Sequence, residues 1–202
     1  MTAPARSNAR GAGTRARILA AAVDCLTEGG IDGVRIAKVA ERAGTSSPSV
    51  HYHFATREAL LAAAIEESFA VAGDVRTTTK YGAGTARDRL RRKVEESLPL
   101  DRRRRREWEL WVELWLRAVR EPELRATSAK VYRQLHRALR ELIEEGVADG
   151  EFAVADPDAT AERMLAAIDG YGLRALLADP AVPPAHAFER VWAQAEEALA
   201  AG

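Results

Sequence analysis

Apolar positions recur along this chain at three- and four-residue spacing almost from its start, the period of an amphipathic helix rather than a strand. Between Thr14 and Glu28, Ile18, Ala22 and Leu26 share one row, with Ala21 and Cys25 on the next, which predicts a helix with one buried face. Thr14 suits its N-cap, and Gly29-Gly30 suits its end because glycine accepts the left-handed conformation. Ile36, Val39, Ala40 and Ala43 predict a second, short helix that closes at Gly44, and a third fits between Ser46 and Phe54. Thr56 opens a longer helix with Glu58 and Ala59 in its first turn and Leu60, Leu61, Ala64, Ile65 and Phe69 inside. Further helices are predicted over 85–97, 104–120, 122–148, 156–178 and 184–200, with breaks marked by Pro99, Pro122, Gly150, Pro157, Pro180 and Pro183-Pro184.

Composition agrees with an all-α fold. Hydrophobic residues make up 47% and charged residues 30%, with alanine, leucine, arginine and glutamate dominant and β-branched runs scarce. Cys25 is the only cysteine, so no disulfide forms within one chain; among Ala22, Val23 and Leu26 it reads as a small buried apolar side chain. No apolar run approaches the ~20 residues of a membrane span. The opening MTAPARSNARGAG lacks the apolar region of a secretory signal, so residues 1–12 read as a flexible basic arm and the expected location is the cytoplasm. There is no metal-ligand spacing, no glycine-rich phosphate loop and no nucleophile elbow, so neither enzyme nor cofactor is expected.

Net charge is formally zero, but the distribution is uneven. Through Arg57 there are eight Lys/Arg (Arg6, Arg10, Arg15, Arg17, Arg35, Lys38, Arg42, Arg57) against four acids (Asp24, Glu28, Asp32, Glu41), so the head is basic and the body acidic. The most informative stretch lies in that head, RIAKVAERAGTSSPSVHYHFATREALL, residues 35–61. Ala40 is a small helix contact, Gly44 a tight turn, Ser46 a cap and Pro48 a first-turn residue, and together they predict a helix-turn-helix. Val50 and Phe54 face inward, leaving Ser47, Ser49, His51 and Tyr52 outward, where hydroxyl, imidazole and phenol groups can meet base edges or phosphates. His53 fits either a phosphate contact or a packed position. Arg57 begins the next helix as a phosphate clamp, and Arg35 and Lys38 sit where backbone contact is expected.

Residues 14–61 resemble the DNA-binding domain of the TetR family of repressors. The likeness rests on Ile18 and Ala22, on Gly30 followed by Ile36, Val39, Ala40, Ala43 and Gly44, and on Ser49, Tyr52, His53, Phe54, Arg57, Glu58, Leu60 and Leu61. Thr45, Pro48, His51 and Arg57 depart from the usual residues at their positions, which leaves the operator sequence open. The resemblance implies nine to ten helices: a helix-turn-helix domain over 13–57, and a helical ligand-binding and dimerisation domain over 58–202. It further implies double-stranded operator DNA and a small-molecule effector as partners, with release of a palindromic operator on effector binding. A homodimer would form through the last two helices, with Met164, Ile168, Gly172 and Ala175 on one and Phe188, Val191, Trp192, Ala195 and Leu199 on the other.

EWELWVELWLRAVREPEL (107–124) and DPDATAERMLAAIDGYGL (156–173) are similar to the branch that includes the choline-pathway repressors. Trp108, Trp111 and Trp115 fall at i, i+3 and i+7, with Tyr132 and His136 four apart on the next long helix and Tyr171 beyond. These rings serve either as core or as an aromatic wall for an apolar or cationic ligand. Five consecutive arginines, Arg102–Arg106, cannot all pack; they form either a solvated patch or a contact with an acidic partner or second subunit.

Overall fold

The computed structural model describes residues 5–73 and 82–200. Among the described residues there are nine helices: α1 (Ala5–Gly33), α2 (Ile36–Arg42), α3 (Ser47–His53), α4 (Arg57–Gly73), α5 (Ala86–Glu96), α6 (Arg102–Ala118), α7 (Pro122–Ala148), α8 (Pro157–Leu176) and α9 (Pro184–Ala200). None is long and apolar enough to cross a membrane.

The chain divides into two compact units. The first comprises Met1–Val71 and Glu113–Lys130, the second Ala72–Val112 and Val131–Gly202. Helices α6 and α7 thus each have one end in each unit.

In the first unit α1, α2 and α3 pack on one another. Their apolar faces are buried where the periodicity placed them: Ile18, Ala22, Cys25 and Leu26 on α1, Val39 and Ala40 on α2, Val50 on α3 and Phe54 just after it. Leu60, Leu61, Ala64 and Ile65 bury the matching face of α4. One boundary differs from the sequence expectation: α1 begins at Ala5, not at a Thr14 cap. Alanine and arginine between them carry high helix propensity, which extends the helix backward. The first four residues of the expected arm lie outside the described residues. At its other end α1 kinks at Gly29 and Gly30, the latter at φ 63°, before a last turn to Gly33. The kink is the helix stop that the glycine pair announced.

In the second unit α8 packs along α9, and α9 also contacts α5. Thr85 caps α5 through a reciprocal capping box with Asp88. Two more amides of that helix start, Ala86 and Arg87, donate to the Glu151 carboxylate at 3.0 and 3.1 Å. These backbone bonds hold the Glu151 carboxyl below its ordinary range. The Trp108 ring lies so close to Gly172 that a Cβ there would stand 2.2 Å from it. Trp108 also donates its indole N–H to the Ser97 carbonyl at 3.0 Å, which satisfies its polar atom in a buried position.

Candidate functional site

The turn between α2 and α3 is built from two complementary devices. Gly44 takes φ 61°, the Gly44 amide donates to the Glu41 carbonyl at 3.1 Å, and the Thr45 amide donates to Ala40 at 2.9 Å. That pair of bonds is a Schellman closure, which turns the chain sharply without leaving α2 carbonyls unpaired. Ser46 then caps α3, its hydroxyl accepting from the Ser49 amide at 3.3 Å with Pro48 in the first turn. Val50 and Phe54 anchor α3 from beneath. With its inward side fixed, α3 presents one outward surface.

Tyr52 is the most exposed large apolar side chain on that surface, at 85%. Its ring meets the edge of His53 at 5.0 Å, and His53 itself is half-buried. Ser46 and His51 are exposed, Ser47 and Ser49 half-buried, and His51 Nδ1 lies 3.4 Å from the Ala55 carbonyl. Arg35 and Lys38 are exposed at the start of α2. Arg35 donates to the Asp32 carbonyl at 3.3 Å, and the Lys38 ammonium lies 3.9 Å from Glu28. Arg42 lies closer to Glu28, at 2.5 Å, and its hydrogen bond holds that carboxyl below its ordinary range. Of the nine expected DNA-facing residues, Arg35, Lys38, Ser46, His51 and Tyr52 are thus exposed, and Ser47, Ser49, His53 and Arg57 are half-buried.

Arg57 does not fit the phosphate-clamp expectation. Its Nε donates to the Val34 carbonyl at 2.7 Å and a terminal nitrogen donates to the Ile31 carbonyl at 2.8 Å. The guanidinium fork is committed to the turn that joins α1 to α2, because that turn ends a helix and leaves carbonyls without helical partners. The same turn is gripped from α6. The Glu113 carboxylate accepts from the Ile31 amide at 3.2 Å, and Arg117 bonds Asp32 at 2.7 Å and Glu113 at 3.4 Å. Neither Glu113 nor Arg117 was singled out from the sequence. Their i, i+4 opposite charges were visible, but that spacing is common on solvated helix faces.

The residues expected to form an aromatic pocket separate into three groups. Trp108 is core, as described, and Trp115 is half-buried in the first unit. Tyr171 packs against Ala175, Val182 and Ala187, and its hydroxyl accepts from Gln194 at 3.2 Å. Trp111 and Tyr132 do meet, with ring centroids 5.5 Å apart and planes inclined by 45°. Tyr132 and His136 line an open groove of about 600 Å³ between α7 and α8. Leu165 and Ala166 form its apolar part, and Arg133, Arg137, Arg140, Asp158 and Glu162 also border it. Asp169 completes the lining; the Tyr132 hydroxyl donates to it at 2.7 Å, and burial raises its pKa against that hydrogen bond. Sequence reasoning missed Asp169, although a single acid inside MLAAIDGYGL was the available signal.

Most of the side chains expected at a subunit interface are used within the chain. Met164, Ile168, Gly172, Ala175, Val191, Trp192, Ala195 and Leu199 are buried in the α8–α9 unit. Phe188 is half-buried under the Arg91 guanidinium at 5.0 Å. Their helical periodicity reports burial within the chain, Gly172 against the Trp108 ring among them. The arginine run is also divided by helix geometry. Arg103 pairs with Glu107, Arg104 donates to the Glu95 carbonyl, and Arg105 donates to the Leu176 carbonyl at the end of α8, leaving Arg102 and Arg106 in solvent.

Comparison with known proteins decides what this arrangement belongs to. Residues 18–64 match the family described as bacterial regulatory proteins, tetR family, and residues 86–201 match the BetI-type transcriptional repressor C-terminal family. The chain belongs to the TetR family. It is a DNA-binding, ligand-responsive transcriptional regulator of the BetI type, and not an enzyme. The HTH-type transcriptional regulator BetI of Burkholderia thailandensis is 30% identical over 172 residues, covering 81% of this chain and 82% of that protein. A putative TetR-family regulator from Rhodococcus sp. superposes with a TM-score of 0.75 at 29% identity, over 93% of this chain and 98% of its own. A putative regulator from Saccharomonospora viridis, solved in complex with choline, gives 0.70 at 29% identity over 92% and 96%.

Proposed function

We propose that this TetR-family chain works in the cytoplasm as a homodimeric repressor, which releases a palindromic operator when a small molecule enters the groove between α7 and α8. The observation that carries the reading is the surface of α3, fixed from beneath by Val50 and Phe54 and presenting Ser47, Ser49, His51 and Tyr52 outward. A helix held this way enters a major groove, with serine hydroxyls and Tyr52 toward base edges. Ser46, His53, Arg35 and Lys38 border the phosphates. Lys38 can exchange its distant Glu28 partner for a phosphate at little cost, since an exposed pair contributes at most ~1 kcal/mol. Arg57 acts by holding the α1–α2 turn.

A palindrome calls for two recognition helices related by a two-fold axis. The second copy docks on the outward faces of α8 and α9, where Gly170, Leu177 and Ala193 are exposed and Leu173 is half-buried. Small residues there allow close helix approach, and Leu177, 71% exposed, gains burial on association.

The effector acts through α6. Trp111, against Tyr132 at the groove, and Glu113 and Arg117, on the α1–α2 turn, are turns of one continuous helix. A ligand that favours a shifted α6 displaces that turn and with it the recognition surface, by as much as its differential affinity for the two positions. The Saccharomonospora viridis relative, solved with choline, supports a cationic head for the ligand, and Tyr132 and Asp169, with Trp111 against Tyr132, are suited to one. Fluorescence anisotropy of the full chain on its operator, with choline titrated in, tests the reading; release on choline binding is expected, and it should vanish in Trp111→Ala.

A further inference from the structure

The charges around the α7–α8 groove do not all satisfy one another. On α7, Arg140 pairs with Glu144 and reaches Asp158, and His136 lies 3.2 Å from the Asp158 carbonyl. Arg133 and Arg137, one turn apart and both exposed, form no ion pair with any described residue. On α8 the reverse holds for Asp169. Its carboxylate is half-buried, it accepts from the Tyr132 hydroxyl, and no described cation pairs with it. Behind Tyr132 stands the Trp111 ring. One end of the groove thus offers an acid beside the Tyr132 ring, and its rim offers two uncommitted guanidinium groups.

We propose that the effector of this groove is a small zwitterion, with an organic ammonium head at Asp169 and the Tyr132 ring and a carboxylate held by Arg133 and Arg137. An ammonium is drawn to the carboxylate and to the Tyr132 ring together, which no neutral ligand can match. A carboxylate suits an arginine fork in geometry as well as charge. The spacing is compatible: Arg133 and Arg137 follow Tyr132 by one and five residues, roughly 1.5 and 7.5 Å along the helix axis. A ligand with three or four bonds between its charges spans that interval. The inference rests on the reading of this groove as the effector site, and adds the anionic half.

Calorimetric titration of the full-length protein with γ-butyrobetaine, its methyl ester and tetramethylammonium tests it. The ester keeps the ammonium and the carbon chain but removes the anion. γ-Butyrobetaine is expected to bind about tenfold more tightly than the ester, the scale of a charge-assisted arginine contact at a partly exposed site. Arg133→Ala with Arg137→Ala should erase that preference without weakening the ester, which as a net cation gains from their loss; both side chains are exposed, so the fold is expected to persist by circular dichroism. Asp169→Asn should weaken all three ligands. Equal affinity for acid and ester, with Asp169→Asn still weakening both, overturns the zwitterion and leaves the effector groove standing. Binding of the probes with operator release that is indifferent to Asp169→Asn overturns the groove itself. Absence of binding by all three at millimolar concentration overturns the ammonium assignment and the proposal with it.

Discussion

Replacing Arg57 separates two roles that the sequence could not. Its guanidinium makes two hydrogen bonds to carbonyls, at 2.7 Å to Val34 and 2.8 Å to Ile31, and its side chain is 31% exposed. A buried charge-assisted bond contributes roughly 1.5–3 kcal/mol, and partial exposure reduces that, so Arg57→Ala should cost about 1–3 kcal/mol in total. For a chain of this size that lowers Tm by roughly 3–10 °C. Operator affinity should fall as well, because the displaced turn carries α2 and the recognition surface with it. The slope of log Kd against log salt should stay unchanged, whereas losing a phosphate contact flattens it by about 0.9. Arg57→Lys sharpens the contrast. It keeps the charge but lacks the fork, so it should remain destabilised and should not restore affinity. A normal Tm with a flattened salt slope, rescued by lysine, would refute the turn-clamp account and return Arg57 to the phosphates.

Tyr52→Ala should leave Tm within about 1 °C, because an exposed side chain contributes little to stability, while operator binding falls at least tenfold by anisotropy. Gly172→Leu forces side-chain atoms into the Trp108 ring, and urea denaturation should show a loss of at least ~2 kcal/mol, whereas Gly170→Leu, at an exposed neighbour, should not. Gly170→Arg should instead shift the chain from dimer to monomer in analytical ultracentrifugation; an unchanged dimer would mean that the copies meet elsewhere. Asp169 supplies a pH test. Burial raises its pKa in the folded chain, so its contribution to stability is fully present below the unfolded value of about 3.8 and is lost as pH rises through the folded value. Asp169→Asn, which can still accept from Tyr132, should therefore be at least as stable as the parent at pH 7, with the gap closing toward pH 3.5; a parent more stable than the variant at pH 7 contradicts this.

Helix periodicity made most of the fold legible. The spans 122–148 and 184–200 match α7 and α9, and the residues expected inside α1 to α4 are buried apart from Ile36, which is half-buried, and Phe69, whose side chain lies outside the described residues, because a 3.6-residue repeat states which face is apolar. The same property said less at α8 and α9, since an apolar stripe says that a face is covered but not by what. Here Gly172 meets Trp108 of α6 and Phe188 meets Arg91 of α5. The helix-turn-helix was readable down to its cap and turn glycine, because those devices are local in sequence. The turn clamp was not: Arg57, Glu113 and Arg117 converge on residues 31–34 from distant segments, and only the tertiary fold brings them there. The tryptophan row likewise looked continuous, yet Trp108 and Trp111 belong to one compact unit and Trp115 to the other.

DNA reading by α3 is tested by selection of binding sites by the purified full-length protein from a pool of random duplexes, at two salt concentrations, followed by sequencing. Enrichment is expected of a palindrome whose half-sites lie about one helical turn apart, bound with steep salt dependence and lost in Tyr52→Ala. A pool that stays random with parent and variant alike, at low salt as well as high, would contradict it.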